Sequence, residues 1–198
     1  MRRCDRAIQC VDQRHIRACF SATLALYSSK MCYVLYIGAK NALPEIAPQD
    51  FTLIDTTDEQ WPEKAVAFSV TRLSEFEEPS RKHFRESCVM NAGSFEGCGC
   101  GFNGCVIREW EEPKPPSAHE LAGRRSREKL TEYVKANKVT SLYGCWSGDE
   151  SLPLVGHESI SIARLSDLSF EFPERVMLSL ELSPSSSPSP SPRNSPAQ

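Results

Sequence analysis

The thirteen residues from Gly93 to Cys105 read GSFEGCGCGFNGC. They hold five of the chain's ten glycines and three of its nine cysteines. Glycine lets a backbone take positive φ or run close against another chain, and cysteine brings a soft, ionisable sulfur. The remainder is ordinary globular sequence, with 40% hydrophobic and 25% charged residues overall. This one segment therefore concentrates whatever chemistry the chain has.

A chain of 198 residues is expected to hold one domain with a core that needs no disulfide staples. The net charge is −3, unevenly placed: residues 1–30 carry six Lys/Arg and two Asp/Glu, hence +4, leaving −7 for the rest. A net-acidic body has no general attraction to nucleic acid. No apolar run approaches the roughly 20 residues that span a bilayer. Nine cysteines is an odd number, and they are not spaced as in a small secreted scaffold. The expectation is a cytoplasmic protein with reduced thiols.

Three regions follow from composition. Residues 1–30 read as an extension outside the core, either a targeting segment or a misassigned start. The second is favoured, because strand pattern begins directly after Met31. Residues 183–198 hold seven Ser and five Pro and read as a disordered tail. The globular body is then 31–182.

Within it, Cys32–Ala39 is a compact apolar run expected as a central strand. Ala65–Leu73 and Ser87–Ala92 give two more, with a short Pro-started helix within Ser74–Phe84. Phe102-Asn103-Gly104 reads as a hairpin turn, with Val106–Trp110 as its return strand. Ser117 and Glu120 form an S-x-x-E capping box that opens a helix running to about Asn137. Leu130, Tyr133 and Val134 are its apolar face. Arg124, Arg125, Arg127, Lys129, Lys135 and Lys138 are its solvated basic face. Val139–Trp146, Ser159–Leu165 and Arg175–Leu182 complete about six strands. Without regular β-α alternation the fold class is α+β, with a mostly antiparallel sheet, one long helix and short helical turns.

The strings MCYVLYIG at Met31, GSFEGCGCGF at Gly93 and CWSGDE at Cys145 resemble the motifs of an uncharacterised bacterial protein family. The resemblance covers about 31–182 and singles out Cys32, Gly97 to Phe102, Cys145, Trp146, Gly148 and Asp149. It implies no activity.

Cys98-Gly99-Cys100 is a C-x-C. In an extended strand, residues i and i+2 face one side, so both sulfurs would converge. Two such thiolates are half of a tetrahedral zinc site. Cys32 and Cys145, on predicted strands that could adjoin this segment, are the expected further ligands, with Cys105, His83 and Cys88 as other options. The C-x2-C knuckle is absent. A thiol-dependent enzyme or redox sensor using Cys98 or Cys100 is the second reading, and no catalytic partner is identified. A partner-binding module whose cysteines only pack is the third, since free cysteine is among the most buried residues. Asp149 and Glu150 read as turn residues. No phosphate-binding or dinucleotide motif and no nucleophile elbow is present. Zinc is the only cofactor implied.

Overall fold

The computed structural model describes residues 32–49, 55, 57–58, 60–104 and 115–181. The expected extension, tail and Val106–Trp110 return strand lie outside these. Among the described residues six strands form one sheet: β1 (Tyr33–Ala39), β2 (Phe68–Arg72), β3 (Cys88–Ser94), β4 (Ser141–Trp146), β5 (Gly156–Ser161) and β6 (Val176–Glu181). Their order is β2-β3-β1-β4-β6-β5. Every neighbouring pair is antiparallel except β5 with β6, which is parallel. The helices are α1 (Trp61–Lys64), α2 (Cys100–Asn103) and α3 (Ala118–Asn137), with 3-10 turns at Glu78–His83 and Ile162–Ser166. The expected α+β class and mostly antiparallel sheet are the observed architecture.

The unbroken apolar run of β1 reflects burial on both faces. Tyr33, Leu35, Ile37 and Ala39 join the larger core with Leu130, Tyr133 and Val134 of α3. Val34 and Tyr36 join a second core on the other face, with Val89, Tyr143, Cys145 and Met177. The run of side chains alternates between the two as strand geometry requires.

The capping box of α3 forms as the sequence specifies. Glu120 N–H donates to Ser117 Oγ at 3.2 Å and Ser117 N–H to Glu120 Oε2 at 2.6 Å. The helix runs through Gly123 without a break and closes on Lys138 at φ 53°. Two expectations away from the glycine-cysteine segment are corrected. The Ser159–Leu165 strand stops at Ser161, because Ile162 and Leu165 turn inward on a 3-10 segment and are buried there. Arg127, assigned to the basic solvated face, is fully buried.

Arg127 acts as a clamp. Its Nε donates to the Phe102 carbonyl at 2.6 Å and Nη1 to the Asp167 carbonyl at 2.6 Å, and Nη2 donates to that of Phe170. The guanidinium lies 5.0 Å from the Phe172 ring centroid, a cation–π distance. One residue of α3 thus ties α2 to the 167–172 segment. Arg127→Leu would leave buried carbonyls without donors. The expected loss is about 3 kcal/mol of unfolding free energy, read as a lower denaturant midpoint at unchanged slope.

Candidate metal centre

The glycine-cysteine segment is not the extended strand the sequence suggested. β3 ends at Ser94 and the chain folds back on itself. Gly97 N–H donates to the Ser94 carbonyl at 2.8 Å, and Ser94 N–H to the Cys98 carbonyl at 2.7 Å. Gly97 sits at φ +78°, a conformation L side chains rarely adopt. Gly99 is in the right-handed helical region, φ −75°, ψ −10°, and Cys100 begins α2. The two cysteines are therefore brought together by a tight turn and a helix start, not by strand periodicity. Phe102 and Asn103 lie in α2 rather than in a hairpin turn. Asn103 instead brackets Phe172, its Oδ1 accepting the Phe172 N–H at 2.9 Å and its Nδ2 donating to the carbonyl at 3.3 Å.

The turn docks on the start of β1. Gly99 N–H donates to the Tyr33 carbonyl at 2.8 Å, and Tyr33 N–H donates to Cys100 Sγ at 3.1 Å. A Cβ on Gly99 would stand 3.0 Å from the Tyr33 carbonyl oxygen and 3.1 Å from Leu35 N. Only glycine admits this approach without moving backbone. The docking sets Cys98 and Cys100 beside Cys32, the residue before β1. The three sulfurs all lie within 4.8 Å of one another.

Three of the four expected ligands are thus assembled, and Cys145 is not among them. The register pairs Val34 with Cys145, which places Cys145 in the second core with Tyr36, Tyr143 and Met177. Cys88 pairs with Ala39 at the far end of β1. His83 Nε2 lies 3.0 Å from the Glu150 carbonyl oxygen, and its ring centroid lies 4.7 Å from that of Tyr143, the planes tilted by 43°. Cys105 lies outside the described residues. Glu150 is buried and closes its own turn, accepting the Gly148 N–H at 2.9 Å and the Tyr36 hydroxyl at 3.4 Å. The acidic pair of the CWSGDE string therefore includes a structural carboxylate.

The two kinds of cysteine are electrostatically opposite. The Cys100 thiol is drawn down to about 6, first by the hydrogen bond from Cys98, against burial, and then by the Tyr33 N–H and by Cys32. Cys98 moves up, because it supplies that hydrogen bond and because it is buried. In the second core, burial and then Glu150 push the Cys145 thiol up to about 12. Donors aimed at one sulfur stabilise its charged form, while burial without them suppresses it.

Beside the trio lies a cavity of about 470 Å³ bordered by Tyr33, Cys100, Trp146, Glu171, Phe172 and Glu174. Its walls are fixed. Tyr33 Oη donates to the Pro173 carbonyl at 2.9 Å, and the Tyr33 and Trp146 rings meet edge to face at 5.8 Å. The Tyr33 backbone, Asn103 and Arg127 organise this region, and motif reading did not find them. Asn103 was legible only as a turn residue, and a buried arginine has no local signal.

No protein-family model, curated protein or solved structure matches the chain. The functional reading therefore rests on the site's own geometry.

The shifts fix a pH dependence for the metal-free protein. Cys100 is lowered from 9.0 to about 6 in the fold. Its contribution is present above the unfolded value and is lost as pH falls through the folded one. Cys98 is raised from 9.0, so its contribution is present below that value and declines as pH rises beyond it. With chelator present, the thermal midpoint should rise between pH 6 and 9 by more in the wild type than in Cys100→Ser. Equal slopes in the two proteins would refute the assignment of the thiolate to Cys100.

Proposed function

We propose that the protein binds a thiophilic divalent cation, zinc, through Cys32, Cys98 and Cys100. The observation that carries this reading is the convergence of three sulfurs, one of them 66 residues from its nearest partner in sequence, within 4.8 Å. A tetrahedral zinc ion with Zn–S bonds near 2.3 Å sets its sulfurs about 3.8 Å apart, so only a small contraction of the trio is needed. One thiol already favours the charged form a metal requires. Tyr33 N–H supplies the outer hydrogen bond that commonly supports a ligating sulfur. Cys32, Cys98 and Cys100 lie at the junction of β1, the β3–α2 turn and α2. A bound ion there would tie three chain segments together, a structural role.

Full-length protein, reduced and purified without chelator, should carry about one zinc per chain by elemental analysis. Cys32→Ser, Cys98→Ser and Cys100→Ser should each lower that content and the thermal midpoint, and a chelator should reproduce the loss of stability. Cys145→Ser should keep the metal, since its sulfur lies in the second core. Metal-free protein with all thiols titrating freely after denaturation would sink the proposal.

A second reading is favoured by the lowered Cys100 alone: a reactive thiolate serving as nucleophile or redox sensor. It predicts that, in metal-free native protein at pH 7, Cys100 is alkylated faster than Cys88 and Cys145. Uniform alkylation rates, or a fast phase that survives in Cys100→Ser, would dismiss it.

A further inference from the structure

We infer that the cavity beside the cysteine trio binds a small imidazole-bearing amine, whose ring nitrogen completes the coordination of the ion. This rests on the metal reading above. Among the described residues three sulfurs converge, and three thiolates leave a tetrahedral ion one position. Cys100 is both a member of the trio and a wall of the cavity, and on this inference the remaining position faces that cavity.

The cavity's chemistry selects the ligand. Zinc with three thiolates carries a net charge of −1, and Glu171 and Glu174 border the same space. A fourth thiolate would add another negative charge beside these carboxylates, which Coulomb repulsion disfavours. A neutral imidazole nitrogen adds none and gives the three-cysteine, one-imidazole donor set common in zinc sites. Tyr33, Trp146 and Phe172 offer ring faces and edges to a flat ligand. Trp146 is half-exposed on this wall. An ammonium group on the ligand meets the two carboxylates. Glu171 is exposed, while Glu174 is shared with Arg175 at 3.5 Å. The volume, about 470 Å³, is that of a small-molecule site. The hydrogen bonds of Tyr33 to Pro173 and of Asn103 to Phe172 hold its far wall in place before any ligand arrives.

The test uses full-length protein loaded with cobalt(II), whose visible spectrum reports its coordination sphere, and two probes, imidazole and histamine. Both probes should change the cobalt bands at constant thiolate-to-metal charge transfer. Histamine should bind about fivefold more tightly, the worth of one exposed ion pair. A protein carrying both Glu171→Gln and Glu174→Gln should keep cobalt and imidazole binding and lose the histamine advantage. Equal affinity for the two probes in the wild type, or an advantage that survives in the double variant, would overturn the amine recognition. Bands that neither probe alters would overturn the inference, by placing a protein group in the fourth position. Loss of a thiolate charge-transfer component in Cys105→Ser would identify that group. Those outcomes leave the metal reading intact. Absence of thiolate charge transfer before any probe is added would instead defeat the metal reading, and this inference with it.

Discussion

The docking of the glycine-cysteine turn on Tyr33 is the contact on which the site depends. β1 is a central strand, but β3 pairs with it only from Leu35 to Ala39. The Tyr33 N–H and carbonyl on that side would be left without a strand partner near the protein interior, a cost of several kcal/mol if unpaired. The turn supplies both partners, an N–H from Gly99 and a sulfur from Cys100. A cysteine side chain thus stands where a strand carbonyl would have been. The Tyr33 N–H that would lack a strand partner is also one of the donors that stabilise the Cys100 thiolate, so the fold and the site's chemistry are not separable at this position.

The rest of the structure keeps that contact in register. Arg127 fixes α2 from behind, through the Phe102 carbonyl, and joins it to the 167–172 segment that walls the cavity. The loss predicted for Arg127→Leu is thus a loss at the site as well as in the core. Asn103 repeats the connection one residue further along, bracketing the backbone of Phe172. The turn is rich in glycine because it passes within van der Waals contact of a strand backbone. It is followed at once by a helix because Cys100 must project back toward that strand.

What the sequence disclosed was local. The capping box at Ser117 and Glu120 needs only its own four residues, and it forms. The fully apolar run of β1 announced a strand buried on both sides. The cysteine cluster was legible as a concentration of sulfur, though not as a shape, because Gly97 and Gly99 permit a turn as readily as a strand. The unread parts were long-range. Cys32 precedes β1 and Cys145 lies on the neighbouring β4. The register that pairs Cys145 with Val34 decides its face, and a one-residue slip would have reversed it. Arg127 looked solvated because its helix is basic all round it, and the carbonyls it binds come from 25 to 43 residues away.

The packing and metal readings of the cysteines need not compete, because the chain contains both environments. Cys145 is surrounded by Tyr36, Tyr143 and Met177, with acidic neighbours at Asp149 and Glu150. There the thiol is held protonated and acts as a small apolar side chain. Cys100 is also largely inside the protein, yet one backbone N–H and two thiols are directed at its sulfur. Burial alone would have raised both. The difference is the donors: first the Cys98 thiol, then the Tyr33 N–H at the unpaired end of β1, and Cys32. A trio built merely to fill space would gain nothing from that arrangement, since apolar groups of the same volume avoid the desolvation cost of a charge. Retaining a charged sulfur beside two further thiols is intelligible where a cation is to be held.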